Sequence, residues 1–141
     1  MRKAIKTASS ALEKFIPKNH AEDTSLSEDA KEIKDRPMVF MVRKLTREDR
    51  YNLRSLSETE MREVDGKVRE VPVNFGSLAL FIWENCVIEA RNVLLDDKEH
   101  DVLVGREKNE LFKVSGIDQE ILEAIDHVQR ISSFDEEEVK N

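Results

Sequence analysis

Between Leu78 and Trp83 the chain runs through Leu78-Ala79-Leu80-Phe81-Ile82-Trp83 without a polar side chain, and Cys86, Val87, Ile88 and Ala90 continue the run. At helical spacing such a run is apolar on every side, and a helix of that kind belongs at the centre of a core. Asn74 stands where an N-cap is wanted, so the pattern predicts a helix from Phe75 to about Asn92. Its neighbours must then cover it on several faces. Ile117, Ile121, Ala124, Val128 and Ile131 follow steps of four, three, four and three, and Leu122 and Ile125 widen the stripe. That spacing predicts a long helix from about Asp118 to Ser132. Ser133 and Glu136 form a capping-box pattern that predicts a short terminal helix after it.

The remaining segments supply less. Lys3 to Phe15 carries Ile5, Ala8, Leu12 and Phe15 at spacings of three and four and reads as an amphipathic helix stopped by Pro17. Residues 1–18 hold Arg2, Lys3, Lys6, Lys14 and Lys18 against Glu13 alone, a basic arm that either folds back or waits for a partner. Residues 19–36 are poor in apolar side chains and acidic through Glu22, Asp23, Glu28, Asp29, Glu32 and Asp35, which reads as a linker with a frayed turn after Ser27. Residues 37–141 form the body. Met38 to Val42 is rich in strand formers, and Thr46 with Glu48 and Asp49 marks the start of a helix from Arg47 to about Ser57. Asp65-Gly66, between alternating runs, predicts a hairpin. Asp96 to Asp101 reads as a charged loop and Val102-Leu103-Val104 as a brief strand before Gly105. These elements predict a mainly α domain with minor β: one short strand and a hairpin.

Composition limits the function classes. With 39% apolar and 38% charged residues in 141, one domain with a modest core is expected. Only 4 Gly and 3 Pro argue against turn-rich sandwiches and barrels. A net charge of −7 favours a protein partner over a nucleic-acid coat. The lone Cys86 suits a reducing cytosol, and no run approaches the roughly 20 apolar residues of a membrane span. Met1-Arg2-Lys3 is basic like a signal peptide, but Lys6, Ser9, Ser10 and Glu13 interrupt any apolar stretch after it. A cytoplasmic, unprocessed chain is expected.

Catalytic and metal chemistry find little support. His20, His100, His127 and Cys86 are scattered, so no metal ligand set and no cofactor are expected. An EF-hand reading of the Asp96 loop fails because Lys98 takes position three and Asp101 the turn-glycine position. Cys86 sits in the most apolar run, where a thiol is a packing group with a raised pKa. Gly66, Gly76, Gly105 and Gly116 are isolated and build no phosphate loop. No enzyme is expected. Arg43, Lys44, Arg47, Arg50 and Arg54 make a basic patch, three of them on one helix face. It can neutralise phosphates, but in so acidic a chain a solvated face or a protein-docking face is the preferred reading.

Several segments in order resemble the tail assembly chaperones of long-tailed bacteriophages. These are Phe15-Ile16-Pro17, an acidic gap, Arg36-Pro37-Met38-Val39-Phe40 leading into Leu45-Thr46-Arg47-Glu48-Asp49-Arg50, then Trp83-Glu84-Asn85 and the closing segment from Ile131 to Asn141. Residues 58–72 depart from the family pattern. The resemblance implies a small, mainly helical, non-enzymatic protein that coats the helical tape measure protein in the host cytoplasm and is absent from the finished virion. It implies the tail tube protein as a second partner and a longer form made by frameshifting. Val139-Lys140-Asn141 can be encoded with a slippery heptamer, which fits that expectation. An exposed apolar helix face aggregates unless covered, and Ile121, Ile125 and Val128, with Phe81 and Trp83 behind them, are the expected helix-facing surface. Self-association through the same stripe is a further expectation. The alternatives are a small nucleic-acid-binding or regulatory protein using the basic patch, and a virion connector.

Overall fold

The computed structural model describes residues 11–56, 59–72 and 75–140. Strands β1 (Glu13–Phe15), β2 (Val39–Val42), β5 (Val87–Leu95) and β6 (Lys98–Val104) form one antiparallel sheet in the order β1-β2-β5-β6. Strands β3 (Thr59–Val64) and β4 (Lys67–Pro72) form a separate hairpin. The helices are α1 (Lys18–Glu22), α2 (Arg47–Leu56), α3 (Phe75–Cys86), α4 (Gly105–Glu110) and α5 (Asp118–Lys140). With five helices beside six strands, four of them in one antiparallel sheet, among the described residues, the fold is mixed α/β and the expectation of a mainly α domain is corrected.

The predicted hairpin forms, with Asp65 at φ 54° and Gly66 at φ 77°. Both central residues are left-handed, as the two-residue turn matching strand twist requires. The β5–β6 turn uses the same device without glycine, Asp96 at 47° and Asp97 at 66°. Short acidic side chains tolerate this conformation better than most. The supposed loop Asp96–Asp101 is thus a turn plus the start of β6, and the expected brief strand is its last part.

The largest correction lies at Cys86. Helix α3 ends there, and strand β5 begins at the next residue, where one helix to Asn92 was expected. The buried residues Val87, Ala90 and Val93 stand three apart, which imitates a helix. Two irregularities produce that spacing in a strand. The β2–β5 register slips between Met41 and Val42, and Asn92 turns left-handed at φ 58°. The slip inserts one residue into a period of two, whereas the β5–β6 pairing passes Asn92 without a shift, so there the left-handed backbone alone breaks the alternation.

Helices α3 and α5 cover one face of the sheet. Trp83 is 0% exposed and meets Phe40 of β2 edge-on at 5.6 Å and Phe112 at 6.5 Å. Val42, Val87, Ala90, Leu103, Ile121, Ala124, Ile125 and Val128 complete the same cluster. The acidic stretch from residue 19 to 36, expected as a linker, touches the sheet on its way to β2. Its turn Ile33–Asp35 lies against β5 and β6, and Val39, on the face away from Phe40, is buried. Arg36 fixes the stretch by donating to Ala30 O (2.7 Å) and Lys31 O (3.2 Å) and by pairing with Asp101 (3.3 Å).

Before that stretch, Glu13–Phe15 is a strand where an amphipathic helix was expected; the rest of that prediction, from Lys3 to Ser10, lies outside the described residues. The segment is held to α5. Phe15 stacks on His127 at 4.5 Å, Lys18 N–H donates to Glu123 Oε2 (3.2 Å), and His20 Nε2 faces Glu120 at 3.6 Å. The expected Asn74 cap also lies outside the described residues. The terminal helix merges into α5 without a break.

Candidate partner-binding groove

The structure gathers four of the five residues expected to face a partner into the core instead. Ile121, Ile125 and Val128 point into the core with Trp83, and Phe81 is half-buried. The stripe expected as a partner-facing surface is the inner face of α5. Among the described residues of α5 the large apolar side chain shown to solvent is Leu122, 58% exposed.

The basic patch is divided. Arg43 Nη1 donates to Asp49 Oδ2 (2.6 Å) and to Lys44 O (3.0 Å), and Nη2 reaches Asp49 Oδ1 (3.4 Å). Asp49 also closes the expected capping position: Thr46 N–H donates to Asp49 Oδ2 (2.8 Å), and Asp49 N–H donates to Thr46 Oγ1 (3.1 Å). Burial pushes the Asp49 carboxyl up, but Arg43 and the two Thr46 bonds outweigh it and hold it below its ordinary value; the same bond raises Arg43. Arg50 Nη2 donates to Ser132 O (3.0 Å). Arg47 is exposed, as is Lys44, while the Arg54 side chain lies outside the described residues. Two of the cations thus bind α2 to its surroundings rather than facing outward.

Ser132 completes this seam, and sequence reading missed it. Its hydroxyl donates to Val128 O (2.6 Å) and accepts from Leu45 N–H (2.9 Å), joining α5 to the turn before α2. Nothing marks one serine among several in the tail as buried.

Among the described residues a recess of about 420 Å³ lies between α3 and α4. On the α3 side it is lined by Leu80 and Glu84, one helical turn apart. Arg106, Asn109 and Glu110 line the α4 side, and the turn Leu111–Lys113 closes it with Phe112 and Lys113. Leu80 is 36% exposed and Phe112 half-buried, so the floor is apolar. The rim is charged, and the Arg106–Glu110 pair across one turn is loose at 3.9 Å.

The walls are fixed from beneath. Lys108 is 1% exposed; its Nζ donates to Trp83 O (2.5 Å) and sits 4.8 Å from the Trp83 ring centre. Trp83 Nε1 in turn donates to Asn109 O (3.4 Å). Burial pulls the Lys108 ammonium down to about 8, against the opposing pull of Glu84 and Cys86. A lysine inside an otherwise charged stretch, Arg106-Glu107-Lys108, carries no sequence mark of such burial. Cys86 is the buried packing thiol expected, raised to about 11 by burial although Arg43 opposes this.

Among the described residues no group of three or more His, Cys, Asp or Glu side chains is placed to hold a metal ion. Among the same residues no helix is long and apolar enough to cross a membrane. No protein-family model, curated protein or solved structure matches the chain.

Proposed function

We propose that this protein is a tail assembly chaperone of a long-tailed bacteriophage, binding apolar helical segments of the tape measure protein and keeping them soluble until the tail tube forms around them. The observation that carries the reading is the α3–α4 groove, where Leu80 and Phe112 make an apolar floor between helical walls under a charged rim. A groove of this kind takes the apolar face of a helix. The net charge of −7 favours dispersal of the complex. Support also comes from the ordered segments that resemble such chaperones, although the fold is mixed α/β rather than mainly helical. The contact surface in this reading is the groove, because Ile121, Ile125 and Val128 are already covered. The tail tube protein is the second proposed partner and the host cytoplasm the proposed place of action.

Co-expression with the long helix-rich product encoded downstream, followed by affinity purification at high salt, tests the proposal. The expected outcome is a soluble complex that survives salt, with the partner insoluble alone. Leu80→Asp should lose the partner, with circular dichroism checking that the fold is kept, and Leu80→Ser, which places no charge there, should weaken binding in the same direction. Recovery of nucleic acid alone, and only at low salt, would transfer the reading to the basic residues. Presence of the chain in purified particles would favour a connector.

A further inference from the structure

We propose that two copies of this chain join through strand β3, which pairs antiparallel with itself about a two-fold axis at Met61, so that the two hairpins become one four-stranded sheet in the order β4-β3-β3-β4. The interface is independent of the α3–α4 groove and uses none of the α5 stripe.

The hairpin β3–β4 is a sheet of its own, and among the described residues neither strand packs extensively against another element. A two-stranded ribbon is marginal in water, and further strands stabilise it. Its register also sets Arg62 directly opposite Arg69, a like-charge pair that weakens the ribbon. Among the described residues no strand lies on the far side of β3, so that edge can accept one. Paired with itself about Met61, β3 sets Glu60 opposite Arg62 of the second copy and Arg62 opposite Glu60 of the second copy. Thr59 stands opposite the second copy's Glu63, and Met61 opposite its own equivalent, as a two-fold axis through the sheet requires. Each Arg62 then has Arg69 on one side and an acid on the other. The remaining self-pairings are poorer. Centring on Glu60, Arg62 or Glu63 puts like charges together at the axis. On β4, centring on Arg69 or Glu70 does the same, and centring on Val68 sets Lys67 against Arg69. A register about Val71 draws in Pro72, which has no N–H to give the ladder.

Sedimentation velocity of the full chain over a concentration series tests this. The unsubstituted protein should pass reversibly from monomer to dimer as concentration rises. Glu60→Arg sets arginine against arginine at both symmetry-related places, and Arg62→Glu sets glutamate against glutamate. Each variant alone should dimerise about tenfold more weakly or worse. An equimolar mixture of the two should recover the dimer, because the arginines of one variant then stand opposite the glutamates of the other. That recovery also shows that neither variant has lost its hairpin. The register is read by cross-linking. Met61→Cys should form a disulfide-linked dimer on air oxidation, since directly opposite Cα atoms lie about 4.5–5.5 Å apart. Thr59→Cys should not, because the pairing places it about 13 Å from its own equivalent. The native Cys86 is buried and does not compete. A protein that stays monomeric through the series, variants that dimerise as well as the unsubstituted chain, or a mixture that does not recover the dimer overturns the proposal. Cross-linking of Thr59→Cys as readily as Met61→Cys overturns it as well.

Discussion

The α-helical layer meets its surroundings in two ways. At the seam between α2 and α5, Arg43, Asp49, Thr46, Arg50 and Ser132 hydrogen-bond one another or the backbone. Between α3 and α4, one buried lysine fixes the backbone below and the surface above it is left apolar and open. The first arrangement uses up charges that resemble a binding patch in one dimension. The second leaves unfilled a surface that looks in sequence like ordinary helix. The general point is physical: a cation near a buried carboxylate is structural, whereas an apolar side chain on a recess has no partner within its own chain to satisfy.

The sharpest way to break this contrast is Asp49→Ala. It removes a carboxylate that accepts from Arg43 and Thr46 and leaves both donors partly buried, so a loss of about 3 kcal/mol is expected in urea unfolding. A loss below about 1 kcal/mol would mean that water replaces the carboxylate and that the seam is no more closed than the groove. The same group gives an acid dependence. Its folded pKa lies below the unfolded 3.8, so its stabilisation is complete above that value and is lost as pH falls through the folded pKa. Next in size is Ser132→Ala, which orphans Leu45 N–H and should cost about 1–2 kcal/mol without affecting partner binding.

What the sequence disclosed follows the same division. Local chemistry was legible: the Thr46 cap, the Asp65-Gly66 turn, strand Val39–Val42 and the start of α5 all depend on residues adjacent in the chain. The α3–β5 junction was not, because a register slip and a left-handed Asn92 gave a strand the three-residue spacing of a helix. The acidic stretch 19–36 contains too little apolar material to announce that it lies on a sheet; its attachment comes through Arg36, whose partners Ala30 and Asp101 lie on both sides of it in sequence. The groove was illegible for a similar reason. Leu80 and Trp83 belong to one apolar run, and only the course of α4 decides that one is half-exposed and the other buried.

The groove's foundation can be probed by pH, with the smallest expected effect. Lys108 has a folded pKa of about 8, below its ordinary 10.5. Between those values the unfolded chain binds a proton that the folded chain has released, so stability rises with pH over that window. Cys86 acts in the opposite sense: its folded pKa of about 11 exceeds its ordinary 9.0, so stability falls as pH rises from 9 to 11. The net expectation is a rise of about 1 kcal/mol between pH 8 and 9, given a ceiling near 1.4 kcal/mol per pH unit for one proton, and then a plateau where the two oppose. Urea unfolding at half-unit steps from pH 7.5 to 10.5 reads this directly. Lys108→Met should abolish the rise, and Cys86→Ala should extend it toward pH 10.5. A Lys108→Met protein that still gains stability from pH 8 to 9 would show that another group supplies the rise and that the Lys108 ammonium is not the titrating site.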